Sequence, residues 1–69
     1  MVDATKIRII ENGKKWRFEE GKDKIKSLEF DVIDKILTIA FENDSEFDKK
    51  IIFLDNVISI EYNEKPIKL

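Results

Sequence analysis

The dipeptide Asn12-Gly13, inside "IRIIENGKKWRF" (residues 7–18), limits the possible folds of this chain more than any other feature. Asn-Gly is the strongest two-residue hairpin signal, because a type I′ turn needs positive φ at both central residues. Closing the chain there pairs Glu11 with Lys14, Ile9 with Trp16 and Ile7 with Phe18, so four large apolar side chains share one face. Strand side chains alternate with period two, and a slip of one residue would split that face. The same register sets Arg8 directly opposite Arg17 on the other face.

Two further segments fold by the same operation. In "LEFDVIDKILTIAF", a loop at Asp34-Lys35 pairs Val32 with Leu37, Phe30 with Ile39 and Leu28 with Phe41. In "KIIFLDNVISIEY", a loop at Asp55-Asn56 pairs Phe53 with Ile58 and Ile51 with Ile60. Strand formers dominate these segments, and turn formers sit where the registers need them. The expected fold is all-β: about six short antiparallel strands in three consecutive hairpins. Such a sheet covers its apolar face by curling into a small barrel or splitting into a sandwich.

The expected inner set is Ile7, Ile9, Trp16, Phe18, Leu28, Phe30, Val32, Leu37, Ile39, Phe41, Ile51, Phe53, Ile58 and Ile60. Phe47, in the loop "NDSEFD", is expected to plug the open end. An alternative is an α+β fold with one helix over residues 23–37, where Ile25, Leu28, Val32, Ile33, Ile36 and Leu37 also fall at helical spacing. Ser27, Phe30, Asp31, Val32 and Ile33 are poor helix formers and favour the strand reading.

At 69 residues the chain is a single domain (1–69), with 63–69 expected as a loose tail. It contains neither cysteine nor histidine, which removes disulfides, thiolate metal sites and the usual general base near neutral pH. Charged residues make up 41%, yet the net charge is only −2, so self-repulsion does not oppose folding. No apolar stretch approaches the roughly 20 residues of a membrane span. The first residues lack the basic start and apolar run of a signal peptide. A cytoplasmic protein that does not touch a membrane is expected.

Chemistry is sparsely marked. Asp44, Glu46 and Asp48 resemble the start of a calcium loop, but the glycine at its sixth position and the glutamate at its twelfth are missing. No nucleophile–base–orienter set and no glycine-rich phosphate loop is present, so the expectation is a chain that is not an enzyme and binds no cofactor.

Two surfaces remain. Lys6, Arg8, Lys15 and Arg17 would cluster outside the first hairpin as a candidate anion or nucleic-acid site. A solvated face neutralised by Glu11, Glu19 or Glu20 explains the same residues, and the outward face lacks the aromatics that single-strand binders stack on bases. Ile10, Ile33, Ile36, Ile52, Leu54 and Val57 fall on the outer parity, and five of them flank hairpin tips, Ile10, Ile33, Ile36, Leu54 and Val57 being the candidate interface. They would form an aliphatic rim for a protein partner or a second copy, unless the strand ends bend over and bury them. The function expected is a small non-catalytic protein–protein interaction or regulatory module, possible self-association included, with anion binding as the alternative.

Overall fold

The computed structural model describes residues 1–66, and these form six strands and no helix. The strands are β1 (Val2–Glu11), β2 (Lys14–Glu19), β3 (Ile25–Asp31), β4 (Ile36–Phe41), β5 (Lys49–Phe53) and β6 (Val57–Glu64). The all-β expectation holds. The stretch with helical spacing, 23–37, is instead β3, its flanking turns and the start of β4.

β1 organises the sheet. One of its edges pairs with β6 along most of its length. Its other edge is shared, with Val2–Ala4 against β3 and Lys6–Glu11 against β2. β4 and β5 follow outward from β3, every pairing is antiparallel, and the sheet curls into a half-barrel.

The curling depends on three irregularities in the ladders. Thr5 is an extra residue between the pairs Ala4↔Glu64 and Lys6↔Asn63, so Ala4 and Ile7, three positions apart, both point inward. Lys26 is extra between Ile25↔Phe41 and Ser27↔Ala40, and Ile25 joins Leu28 inside. Ile58 is extra between Glu11↔Val57 and Ile10↔Ser59. It is 69% exposed while Val57 and Ile60 pack on the core. Bulges of this kind bend a strand and tighten its twist. The buried core is Ala4, Ile7, Ile9, Ile25, Leu28, Phe30, Leu37, Ile39 and Leu54.

The first hairpin has the expected register, Ile7↔Phe18 through Glu11↔Lys14. Its turn differs: only Gly13 has positive φ (80°), the sign pattern of a type II turn. The double positive φ of a type I′ turn occurs at Asp23 (52°) and Lys24 (61°), closed by the Ile25 N–H on the Lys22 carbonyl at 2.9 Å. Trp16 lies on the inner side of an edge strand and stays 46% exposed, outside the buried core.

In the second hairpin the pairs are Phe30↔Leu37 and Leu28↔Ile39, two residues from the expected register. A two-residue shift preserves the faces. It arises because Asp31, rather than Asp34, starts the turn. The Asp31 Oδ1 accepts the Ile33 and Asp34 backbone N–H groups at 2.9 and 3.0 Å, and Lys35 closes a four-residue loop with φ 55°. These bonds, the Asp34 one foremost, hold the Asp31 carboxyl below its ordinary 3.8. Their contribution is therefore present above that value and fades as pH falls through the lower folded one. Val32 leaves the core for this loop and is 68% exposed.

The third hairpin does not form. β5 pairs with β4, as Ile36↔Phe53 and Leu37↔Ile52, while β6 crosses to β1. Ile52 thus shares the inward face of Leu37, and Leu54, whose N–H bonds the Lys35 carbonyl at 2.8 Å, is buried. Ile51 and Phe53 point outward, 56% and 69% exposed, the reverse of the expected parity. Residues 54–56 join opposite edges of the sheet, and from that corner β5 and β6 diverge unpaired. Phe47 does not plug this opening, being 65% exposed. Asn63 and Glu64 complete β6, and the Lys65 N–H bonds the Asp3 carbonyl at 2.9 Å, so this part of the expected tail is paired. Residues 67–69 of that tail lie outside the described residues.

This parity is testable by denaturant unfolding. Leu54→Ala should cost about 2–4 kcal/mol, as a buried leucine does, and Phe53→Ala less than about 1 kcal/mol. A larger loss at Phe53 than at Leu54 would contradict the orientation of β5.

Candidate functional site

β2 and β6 flank β1, so its outward side chains sit in three-residue rows. Arg17, Arg8 and Glu61 form one row, with Glu19, Lys6 and Asn63 on one side of it and Lys15, Ile10 and Ser59 on the other. The opposed arginines are thereby resolved: the Arg8 Nη2 donates to the Glu61 Oε2 at 2.5 Å. Arg17 makes no ion pair among the described residues. Glu19, beside Lys6, is held by the Lys22 ammonium at 2.9 Å. Its hydrogen bond to Lys22 and that positive charge lower the carboxyl, and the same contact raises Lys22.

Lys6, Arg8 and Arg17 line a shallow depression of about 310 Å³ together with Glu61, Tyr62 and Asn63. Three of the four proposed anion-site residues are thus assembled, with one carboxylate among them, and Lys15 lies beyond the lining. Glu61 was not foreseeable in this place, because no local signal sends β6 to β1. Tyr62 faces the other way, its ring edge-on to Phe30 at a centroid distance of 4.7 Å.

The aliphatic rim is not assembled as a rim. Leu54 is buried and Val57 packs against the core, so both close the interior. Ile10 lies half-buried on the basic face between Lys15 and Ser59. Ile33, at the β3–β4 turn, is 91% exposed, and Ile36 is half-buried beside Phe53.

A different apolar surface appears on the outer face of β4 and β5, where Ile36 pairs with Phe53 and Thr38 with Ile51. Next to it a depression of about 250 Å³ is lined by Met1, Glu29, Asp31, Asp34, Ile36, Thr38 and Ile51, with Phe30 behind them. A β5–β6 hairpin would put Ile51 and Phe53 in the core, whereas pairing with β4 turns both outward. Among the described residues no group of three or more acidic side chains is placed to hold a metal ion. In the 42–48 loop Asp44 pairs with the Lys24 ammonium at 3.4 Å, and the Ser45 Oγ lies 2.8 and 2.9 Å from the Glu42 and Phe47 carbonyls.

The chain matches no protein-family model, no curated protein and no solved structure.

If Glu61 is what makes the Arg8–Arg17 opposition tolerable, Glu61→Ala should destabilise by about 0.5 kcal/mol at low salt. Adding Arg17→Ala should recover part of the loss, and about 0.5 M salt should mask it. An unchanged unfolding midpoint at low salt would show that the arginines simply diverge.

Proposed function

We propose that this chain is a non-catalytic protein–protein interaction or regulatory module, working in the cytoplasm through the outer face of β4 and β5. The observation that supports this is the exposure of Ile51 and Phe53 beside Ile36. Single exposed apolar residues are ordinary, but side chains paired across neighbouring strands make a contiguous patch, and such patches mark protein contacts. The acidic depression at its margin supplies the polar rim that interfaces carry. Affinity capture from a native cell lysate tests the reading. The wild type should retain a defined protein that Phe53→Lys loses and Phe47→Lys, altered on a separate loop, keeps. Equal capture by all three would overturn it.

The depression around Lys6, Arg8 and Arg17 supports anion binding as a second reading. Retention on heparin or an oligonucleotide should then fall steeply with salt, and Arg8→Ala/Arg17→Ala should reduce that slope by about two. Weak retention unchanged by the variant would reject it.

A further inference from the structure

We propose that β5 pairs antiparallel with β5 of a second copy of this chain, across a two-fold axis at Ile52, so that one sheet runs through both molecules. This rests on the interaction-module reading and names the partner. Among the described residues the sheet has three open edges, at β2, β5 and β6. Exposed edge strands are ordinarily protected by charge, bulges or shortness. β2 carries Lys14, Lys15 and Arg17, and β6 carries Glu61, Glu64 and the bulge at Ile58. β5 has lysines at one end only, and its remaining residues are Ile51, Ile52 and Phe53. It pairs with β4 alone among the described residues, and β6 diverges from it, leaving the edge open to an incoming strand.

The hydrogen-bond phase of that edge is fixed. The Phe41 N–H bonds the Asp48 carbonyl and the Leu54 N–H bonds the Lys35 carbonyl. Bonded and non-bonded pairs alternate along an antiparallel ladder, so Lys50 and Ile52 face β4 with their backbone groups. Lys49, Ile51 and Phe53 therefore present theirs to the free edge.

A symmetric antiparallel pair must also keep inward residues opposite inward ones. With the axis at Ile52, Ile51 meets the second copy's Phe53 in two equivalent bonded pairs. Ile52 meets Ile52, and beyond these Lys50 falls opposite the second copy's Leu54, where the Leu54–Val57 turn ends the strand. Ile51, Ile52 and Phe53 thus oppose only apolar residues, and the lysines fall outside this stretch. The neighbouring registers do worse. An axis at Ile51 sets Lys49 against Phe53, one at Phe53 reaches the Leu54–Val57 turn after a single further pair on each side, and one at Lys50 opposes two lysines. In the favoured register the outer row becomes Ile36, Phe53, Ile51 and Thr38 across four strands and two molecules.

Sedimentation and light scattering of the full chain across concentration test this. The wild type should dimerise, and Phe53→Lys should abolish the dimer while circular dichroism stays unchanged. The chain has no cysteine, so Ile52→Cys should oxidise to a linked dimer and Ile51→Cys should not, since facing Cα atoms in a non-bonded pair lie about 4.5 Å apart, within disulfide reach. A wild type still monomeric at about 1 mM would overturn the self-pairing. The interaction-module reading would still stand or fall on its own capture experiment. A dimer that Phe53→Lys leaves intact would place the interface elsewhere and overturn the role of β5.

Discussion

The extra residue at Thr5 is the constraint on which the rest of this fold depends. In a regular strand Ala4 and Ile7 would face opposite sides of the sheet, and one end of β1 would be turned away from the core. The bulge brings both inward, 1% and 0% exposed, and bends β1 where its neighbour on one edge changes from β3 to β2. The Thr5 carbonyl is also occupied there, accepting the Glu20 N–H at 2.8 Å as the chain leaves β2. A single long strand can then serve two halves of a half-barrel, with β6 along its opposite edge joining them.

The first hairpin was legible in the sequence because a two-residue turn and four large apolar residues leave one workable register. The faces of the second were legible although its register was not, since the error of two residues preserves parity. The pairing of the third segment is not legible locally, because nearness in the chain does not decide it: β6 lies on β1 and not on β5. The helical spacing near residue 25 has a physical cause that does belong to strands. Ala4–Ile7, Ile25–Leu28 and Val57–Ile60 are apolar pairs three residues apart, and each brackets a bulge. Read as bulges, these pairs would have placed Ile25 and Val57 inside.

Of the basic face, the cations were legible and their counter-charge was not. Arg8 and Arg17 are opposed by local register, which the hairpin alone dictates. Glu61 reaches Arg8 through a pairing between segments more than fifty residues apart. Both members of this ion pair are substantially exposed, so its energetic worth is small. Its effect is on the surface potential: the depression carries fewer net positive charges than the hairpin alone suggests.

The apolar surface on β5 follows from where β6 goes. Pairing β5 with β6 would have closed the barrel and covered that edge. Instead residues 54–56 carry the chain around the corner, and β6 lies along β1, where Ile60 and Val57 reach the core and Tyr62 packs on Phe30. A chain this small has little interior to fill. Leu37 and Ile39 already occupy the inward face of β4 at 0% exposure, so of the apolar residues in β5 only Ile52 can join them. The alternation that places Ile52 inside forces Ile51 and Phe53 out. The fold thus completes the pairing of its central strand and, by the same step, leaves the last strand of the sheet with an apolar outer face and an unpaired edge.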